Sequence, residues 1–173
     1  MQDTDNWDRW QKRPLNKALL SDIQTAWEGE AGADEFQAEL GMIFSGIADD
    51  LSRKDISNEY LVLEENGIPR AVLELIDTKR GTMTKLLSLH LSPTYWDSPT
   101  HNMLSKVYTA SIIAALEVGT ERANRSIANS HEVKIYGRNR ELLDILRVIN
   151  DNWKPTPPLE VSMAGRWLSV TVC

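Results

Sequence analysis

A mixed α/β architecture in one domain is what this sequence predicts, and three observations predict it. Two segments near the start repeat apolar residues at helical spacing, the next three repeat them at strand spacing, and a long helical segment separates those three from one further strand. The chain has 173 residues, enough for one sizeable core and too few for a second independent one. Residues 1–173 are therefore expected to form a single domain.

Each element has its own local cause. Residues 1–14 form an N-terminal arm that sets Trp7 and Trp10 among charges and ends at Pro14, which suits either a short edge strand or a loop laid on the domain. From Leu15 onward, Leu19, Ile23 and Trp27 recur every fourth residue and share one helical face, and Gly29 and Gly32 are expected to end that helix. Asp34 is expected to cap a second helix, with Gln37 in the capping-box position and Phe36, Leu40, Ile43, Phe44, Ile47 and Leu51 as its buried stripe. Tyr60 to Glu64 and Ile68 to Asp77 then flank Asn66-Gly67, the dipeptide best suited to the positive φ angles of a tight hairpin. Beyond a turn at Gly81, Met83 to Leu91 sets Leu87, Leu89 and Leu91 on one face and Ser88 and His90 on the other.

Pro93 stops that strand. Asn102 to Ala123 carries Leu104, Val107, Tyr108, Ile112, Ala115, Leu116 and Val118, a face broad enough to pack on a sheet. His131 to Tyr136 is a short strand, and Asn139 caps a helix through Ile149. Residues 153–158, Trp-Lys-Pro-Thr-Pro-Pro, form a stiff connector, because each proline lacks a backbone donor and restricts its predecessor. Leu159 to Met163 and Arg166 to Val172 alternate around Ala164-Gly165 as a closing hairpin.

Charge and composition exclude several function classes. A formal net charge of -6 and a pI near 5.1 provide no global positive field, so neither nucleic acid nor a membrane is an expected partner. Cys173 is the only cysteine, which rules out an intrachain disulfide and suits a reducing compartment. The polar N-terminus has no apolar signal core, and no stretch approaches the roughly 20 apolar residues of a membrane span, so a cytoplasmic protein is expected. His90, His101 and His131 have no metal-ligand spacing, and no metal is expected.

The order of elements resembles the GNAT (GCN5-related N-acetyltransferase) superfamily, whose central mixed sheet is flanked by helices and splays between its fourth and fifth strands to receive acetyl-coenzyme A. The resemblance implies an N-acyltransferase with acetyl-CoA as donor and an amine as acceptor. In the family, backbone N–H groups of the loop after the fourth strand grip the pyrophosphate at a helix N-terminus. The matching stretch here is Leu91-Ser-Pro-Thr-Tyr-Trp-Asp-Ser-Pro-Thr-His-Asn-Met-Leu104, in which Pro93, Tyr95 and Leu104 fall where the family has proline, an aromatic and the first core leucine. Trp96 stands where Arg or Gln is usual, and Pro99 and His101 stand at the two glycines. Pro99 removes a donor and His101 obstructs close phosphate approach, so weak acetyl-CoA affinity is expected from this degenerate site. By resemblance the cofactor contacts fall on Leu91, Trp96, Ser98, Thr100, His101, Asn102 and Asn139. The family's proton-donating tyrosine falls on Leu146, for which Tyr136 or Tyr108 is a substitute by residue type.

His90 and Glu74 are the candidate bases. An imidazole near the end of the strand bordering the splay is suited to taking a proton from an amine near neutral pH; the bland alternative is a hydrogen-bonded histidine on a sheet face. Glu74 serves either as base, directly or through water, or as an ordinary solvent-facing carboxylate. Lys79 with Arg80, or Arg122 with Arg125, meet an anionic ligand or else are solvated turn and helix-end charges. Of the six tryptophans, Trp27 and Trp167 read as core, while Trp7, Trp10, Trp96 and Trp153 are partly buried or form an interaction surface. Two functions remain: an N-acyltransferase with an atypical acyl-CoA site, or a catalytically inactive relative whose acidic, tryptophan-bearing surface binds a protein partner as a regulator or effector.

Overall fold

The computed structural model describes residues 7–32, 34–53, 58–78, 81–97, 99–125 and 130–172. Its strands are β1 (Trp10–Pro14), β2 (Asn58–Glu65), β3 (Ile68–Thr78), β4 (Met83–Leu91), β5 (His131–Tyr136), β6 (Leu159–Ala164) and β7 (Trp167–Val172). Its helices are α1 (Lys17–Ala31), α2 (Asp34–Ser52), α3 (His101–Arg125) and α4 (Arg140–Asn152). The strands form one sheet in the order β1-β2-β3-β4-β5-β7-β6. Alternation of apolar residues on β2 and β3 fills both faces of this sheet. Leu61, Leu63, Leu73 and Leu75 face a core shared with α3 and α4, while Tyr60, Val62 and Val72 face a second core under α1 and α2.

The helix ends depart from expectation in instructive ways. Asn16 caps α1 by accepting the Leu19 N–H at 2.9 Å, and the helix runs through Gly29 to end at Gly32, whose φ of 66° suits glycine. Asp34 is already a helical residue of α2, and Gln37 makes no capping box: its amide donates to the Glu28 carbonyl at 2.8 Å and ties α2 to α1. The N-terminal arm resolves into a short 3-10 turn, Trp7–Arg9, followed by the edge strand β1 on β2. Trp27 is fully buried as expected, but Trp167 is only half-buried and lies against Tyr136 on the sheet surface.

Two features of β4 open the sheet. Its register with β3 passes from Glu74↔Ser88 to Leu75↔Leu86, so Leu87 is the extra residue of a β-bulge. The bulge corrects the expected face: Leu86, Leu89 and Leu91, rather than Leu87, Leu89 and Leu91, turn toward α3, and Ser88 and His90 turn toward the α1/α2 side with Glu74 and Val72. The second feature is the only parallel pairing among the described residues. β4 and β5 share four positions, from Met83↔Glu132 to Leu86↔Ile135, and the pairing stops where the bulge begins. From Leu87 to Leu91, β4 continues with no strand partner on that side among the described residues.

Candidate functional site

The parting of β4 and β5 makes a notch of about 70 Å³ lined by Leu86, Leu87, Ser88, Leu89, Tyr108, Tyr136, Arg138, Asn139 and Leu142. A larger cleft of about 390 Å³ adjoins it, lined by Glu39, Ile43, Leu89, His90, Leu91, Tyr95, Trp96, Pro99, Leu104, Tyr108 and Glu141. Leu89 and Tyr108 belong to both. The arrangement follows from the chain: the bulge frees one edge of β4, and the α4 cap holds the turn after β5 to one side.

On the α1/α2 side, Glu74 is not the solvent-facing carboxylate that its strand position allowed. One carboxylate oxygen accepts the Asn58 amide at 2.5 Å and the other accepts the Ser88 hydroxyl. Ser88 is buried at 7% exposure. His90 is the next residue on the same face of β4, and burial lowers its pKa from the ordinary 6.5, with the Glu74 charge acting the other way and Arg138 reinforcing the burial. Its imidazole is therefore neutral at neutral pH and has a lone pair to offer.

On the α3 side, a hydrogen-bond chain fixes the direction of one hydroxyl proton. Asn139 caps α4 by accepting the Leu142 N–H at 2.8 Å through Oδ1, which leaves its Nδ2 to donate to the Tyr108 hydroxyl at 2.8 Å. Tyr108 accepts there, so its own proton points elsewhere. Burial raises its pKa, the Asn139 hydrogen bond opposes that, and the Glu141 charge adds to it, so the phenol stays protonated at neutral pH. Tyr136, the other substitute by residue type, packs against Trp167 with ring centroids 4.9 Å apart and the ring planes tilted by 49°, and has Arg166 over its ring.

Helix geometry redefines the turn before α3. The Thr100 hydroxyl accepts the Met103 N–H at 3.2 Å and caps α3, so His101 and Asn102 are exposed residues of its first turn. Their amides have no intrahelical acceptor at that position. The Trp96 indole donates to the Leu91 carbonyl at 2.9 Å and its ring packs edge-on against Phe36, so Trp96 serves the turn and the second core. Ser98 lies outside the described residues, as do Lys79, Arg80 and Cys173. Arg122 donates to Glu59, to Asp77 and, at 2.9 Å, to Thr84, which commits it to an internal ionic network.

The order of elements along the chain and the parting of the fourth and fifth strands beyond Leu86 are those the resemblance implies. The fold is GNAT-like. No protein-family model matches the chain, and no curated protein matches it in sequence. Solved structures similar to it include the PaiA N-acetyltransferase of Thermoplasma acidophilum in complex with coenzyme A, at 13% identity and a TM-score of 0.49 over 94% of this chain and 97% of that one. The ribosomal-protein-S18-alanine N-acetyltransferase of Escherichia coli matches at 13% identity and 0.45, over 94% of this chain and 90% of that one. The PseH N-acetyltransferase of Campylobacter jejuni matches at 11% and 0.42, over 94% and 96%.

Within this GNAT-like frame the residues fit one part of acetyl-CoA better than the other. The notch suits a narrow, uncharged thioester arm, because the unpaired edge of β4 from Leu87 to Leu89 presents backbone donors and acceptors beside leucine side chains. The turn suits a diphosphate poorly: Pro99 has no N–H, the Thr100 hydroxyl already caps the helix, and the cleft is lined by Glu39 and Glu141 with no Lys or Arg among its described lining residues. Among the described residues, no group of three or more His, Cys, Asp and Glu is gathered as for a metal ion, and no helix is long and apolar enough to cross a membrane.

Acid should weaken this protein through two histidines. His131 is 0% exposed; Thr84 donates its proton to Asp77, so the contact of His131 Nε2 with the Thr84 hydroxyl at 2.8 Å is a donation from the ring. Burial lowers its pKa below 6.5, with Asp77 and a backbone hydrogen bond at Gly81 opposing and Arg122 reinforcing. A pKa lower in the folded than in the unfolded state gives stability that is complete above 6.5 and is lost as pH falls through the folded value. Melting temperature should therefore drop between pH 7.5 and 5.5, before most carboxylates titrate, and should drop less in His131→Gln. An equal fall in both proteins would remove His131 from the account.

Proposed function

We propose that this protein is an N-acyltransferase with an atypical donor site, acting on an acyl thioester and an amine. The observation that carries the proposal is the opening between β4 and β5, which has His90 and the Glu74-bound Ser88 on one side and the Asn139-held Tyr108 hydroxyl on the other. When bound, the donor supplies an acyl group already activated as a thioester. The β4 edge from Leu87 to Leu89 orients the thioester arm, and the His101 and Asn102 amides meet the phosphate end. A neutral His90 ring nitrogen takes the proton that the attacking amine sheds. The Tyr108 hydroxyl, its acceptor side occupied by Asn139, offers its proton to the departing sulfur. Leucines around the notch exclude water from the thioester.

The test is incubation of the purified chain with acetyl-CoA and a panel of primary amines, read as acylated amine by mass spectrometry. Product above the heat-denatured control is expected with at least one amine, and none across the panel would favour the alternative of a non-catalytic protein-binding regulator. The loss of Pro99 as donor and the bulk of His101 make a second expectation. Acetyl-CoA should bind weakly, and Pro99→Gly with His101→Gly should tighten binding by up to about tenfold through one regained N–H and the room glycine leaves, by calorimetry. Tight binding by the unaltered chain that the two glycines weaken would show that Trp96 to Asn102 is a built donor site.

A further inference from the structure

We propose that Ser88 is a nucleophile that carries the acyl group covalently between donor and amine, with Glu74 as its base. The inference rests on the acyltransferase function proposed above and adds an intermediate to it.

A serine becomes a nucleophile when a base holds its proton and a third group fixes the base. All three parts are present on adjacent strands. Ser88 on β4 lies directly opposite Glu74 on β3 and donates its hydroxyl proton to one oxygen of that carboxylate. The other oxygen accepts from Asn58 on β2, so the carboxylate has one orientation and its second oxygen stays on the serine. Tyr60, opposite Glu74 in the β2/β3 register, donates to Asp50 at 2.6 Å and also sits within the electrostatic reach of the Glu74 carboxylate, so it helps hold the base in place. Ser88 is buried, yet it lines the notch where a thioester carbonyl would enter, and His90 follows two residues later on the same face. The Leu87 bulge is what turns Ser88 to Glu74 at the point where β4 loses its β5 partner.

The chemistry balances in two steps. In the first, Glu74 takes the Ser88 hydroxyl proton, the Oγ–C bond forms at the acyl carbon, the C–S bond breaks, and the thiolate takes the Tyr108 proton. In the second, the amine attacks the serine ester, the C–N bond forms, the C–Oγ bond breaks, Glu74 returns its proton to Oγ, and His90 takes the proton the amine sheds. Solvent carries that proton back to Tyr108.

The experiment incubates the full chain, without amine, with acetyl-CoA and separately with S-acetylpantetheine, followed by acid quench, intact mass and peptide mapping. The expected result is the mass of one acetyl group on the peptide containing Ser88. The adduct should be absent from Ser88→Ala, reduced at least tenfold in Glu74→Gln, and present in Ser88→Cys, whose thiol keeps a nucleophile of similar size and so separates loss of chemistry from loss of fold. Amine acylation by a protein that forms no adduct would overturn the role of Ser88 and leave the acyltransferase standing. An adduct without amine acylation would do the reverse. An adduct that persists in Ser88→Ala would overturn the assignment, and neither adduct nor product would remove both proposals.

Discussion

Alanine at His90 is expected to lower acyl transfer by about 10²–10⁴-fold, the usual contribution of a positioned general base, while the melting temperature stays close to that of the unaltered chain. The imidazole lines the cleft rather than filling either core, so its removal leaves little buried space. Its lowered pKa also sets the shape of the pH dependence. The base must be neutral to act, so the rate should be level near neutral pH and fall as pH drops below 6.5 through the lowered value. In His90→Ala that acidic limb should vanish along with most of the rate. A variant that keeps both would move the base to Glu74 or to water.

Gly119→Ala is expected to be strongly destabilising for its size, because an added Cβ would overlap the Val133 Cγ2 atom. Gly119 is buried in α3 where that helix crosses β5, and Val133 is a fully buried, β-branched residue with little rotamer freedom to yield. Overpacking of this kind costs about 1–3 kcal/mol, which urea denaturation would read as a lower midpoint at unchanged slope. Val133→Ala in the same chain should recover part of the loss, since it removes the clashing methyl. The effect reaches function as well: the helix that Gly119 seats against β5 carries Tyr108, so a displaced α3 would also weaken the Tyr108–Asn139 hydrogen bond. Full stability in Gly119→Ala would mean that α3 shifts freely on the sheet, contrary to the packing described above.

Much of the candidate site was visible in residue patterns, and the parts that were not share a cause. His90 and Ser88 could be placed on the polar side of their strand from alternation alone. Asn139 announced itself as a cap because Gly137 ends a strand just before a helical period begins. Glu74 and Tyr108 were visible as residue types without a place. Asn58 and Arg138 gave no signal, since an asparagine at a strand start and an arginine in a turn are ordinary there. Their importance comes from Glu74 and His90, which lie 16 and 48 positions away in the chain.

By itself the sequence determined the order and type of the elements, most of their boundaries and the N-terminal cap of α4. These depend on neighbours within a few positions, where spacing, glycine, proline and capping side chains act directly. Only the tertiary structure decided that the bulge falls on Leu87, that Glu74 is held between Asn58 and Ser88, that Thr100 spends its hydroxyl on a cap, and that Tyr108 rather than Tyr136 meets Asn139. A bulge shifts strand register by one residue and reverses the facing of everything beyond it. Where it falls is set by the simultaneous burial of both sheet faces, a condition on the whole domain that no short window of sequence contains.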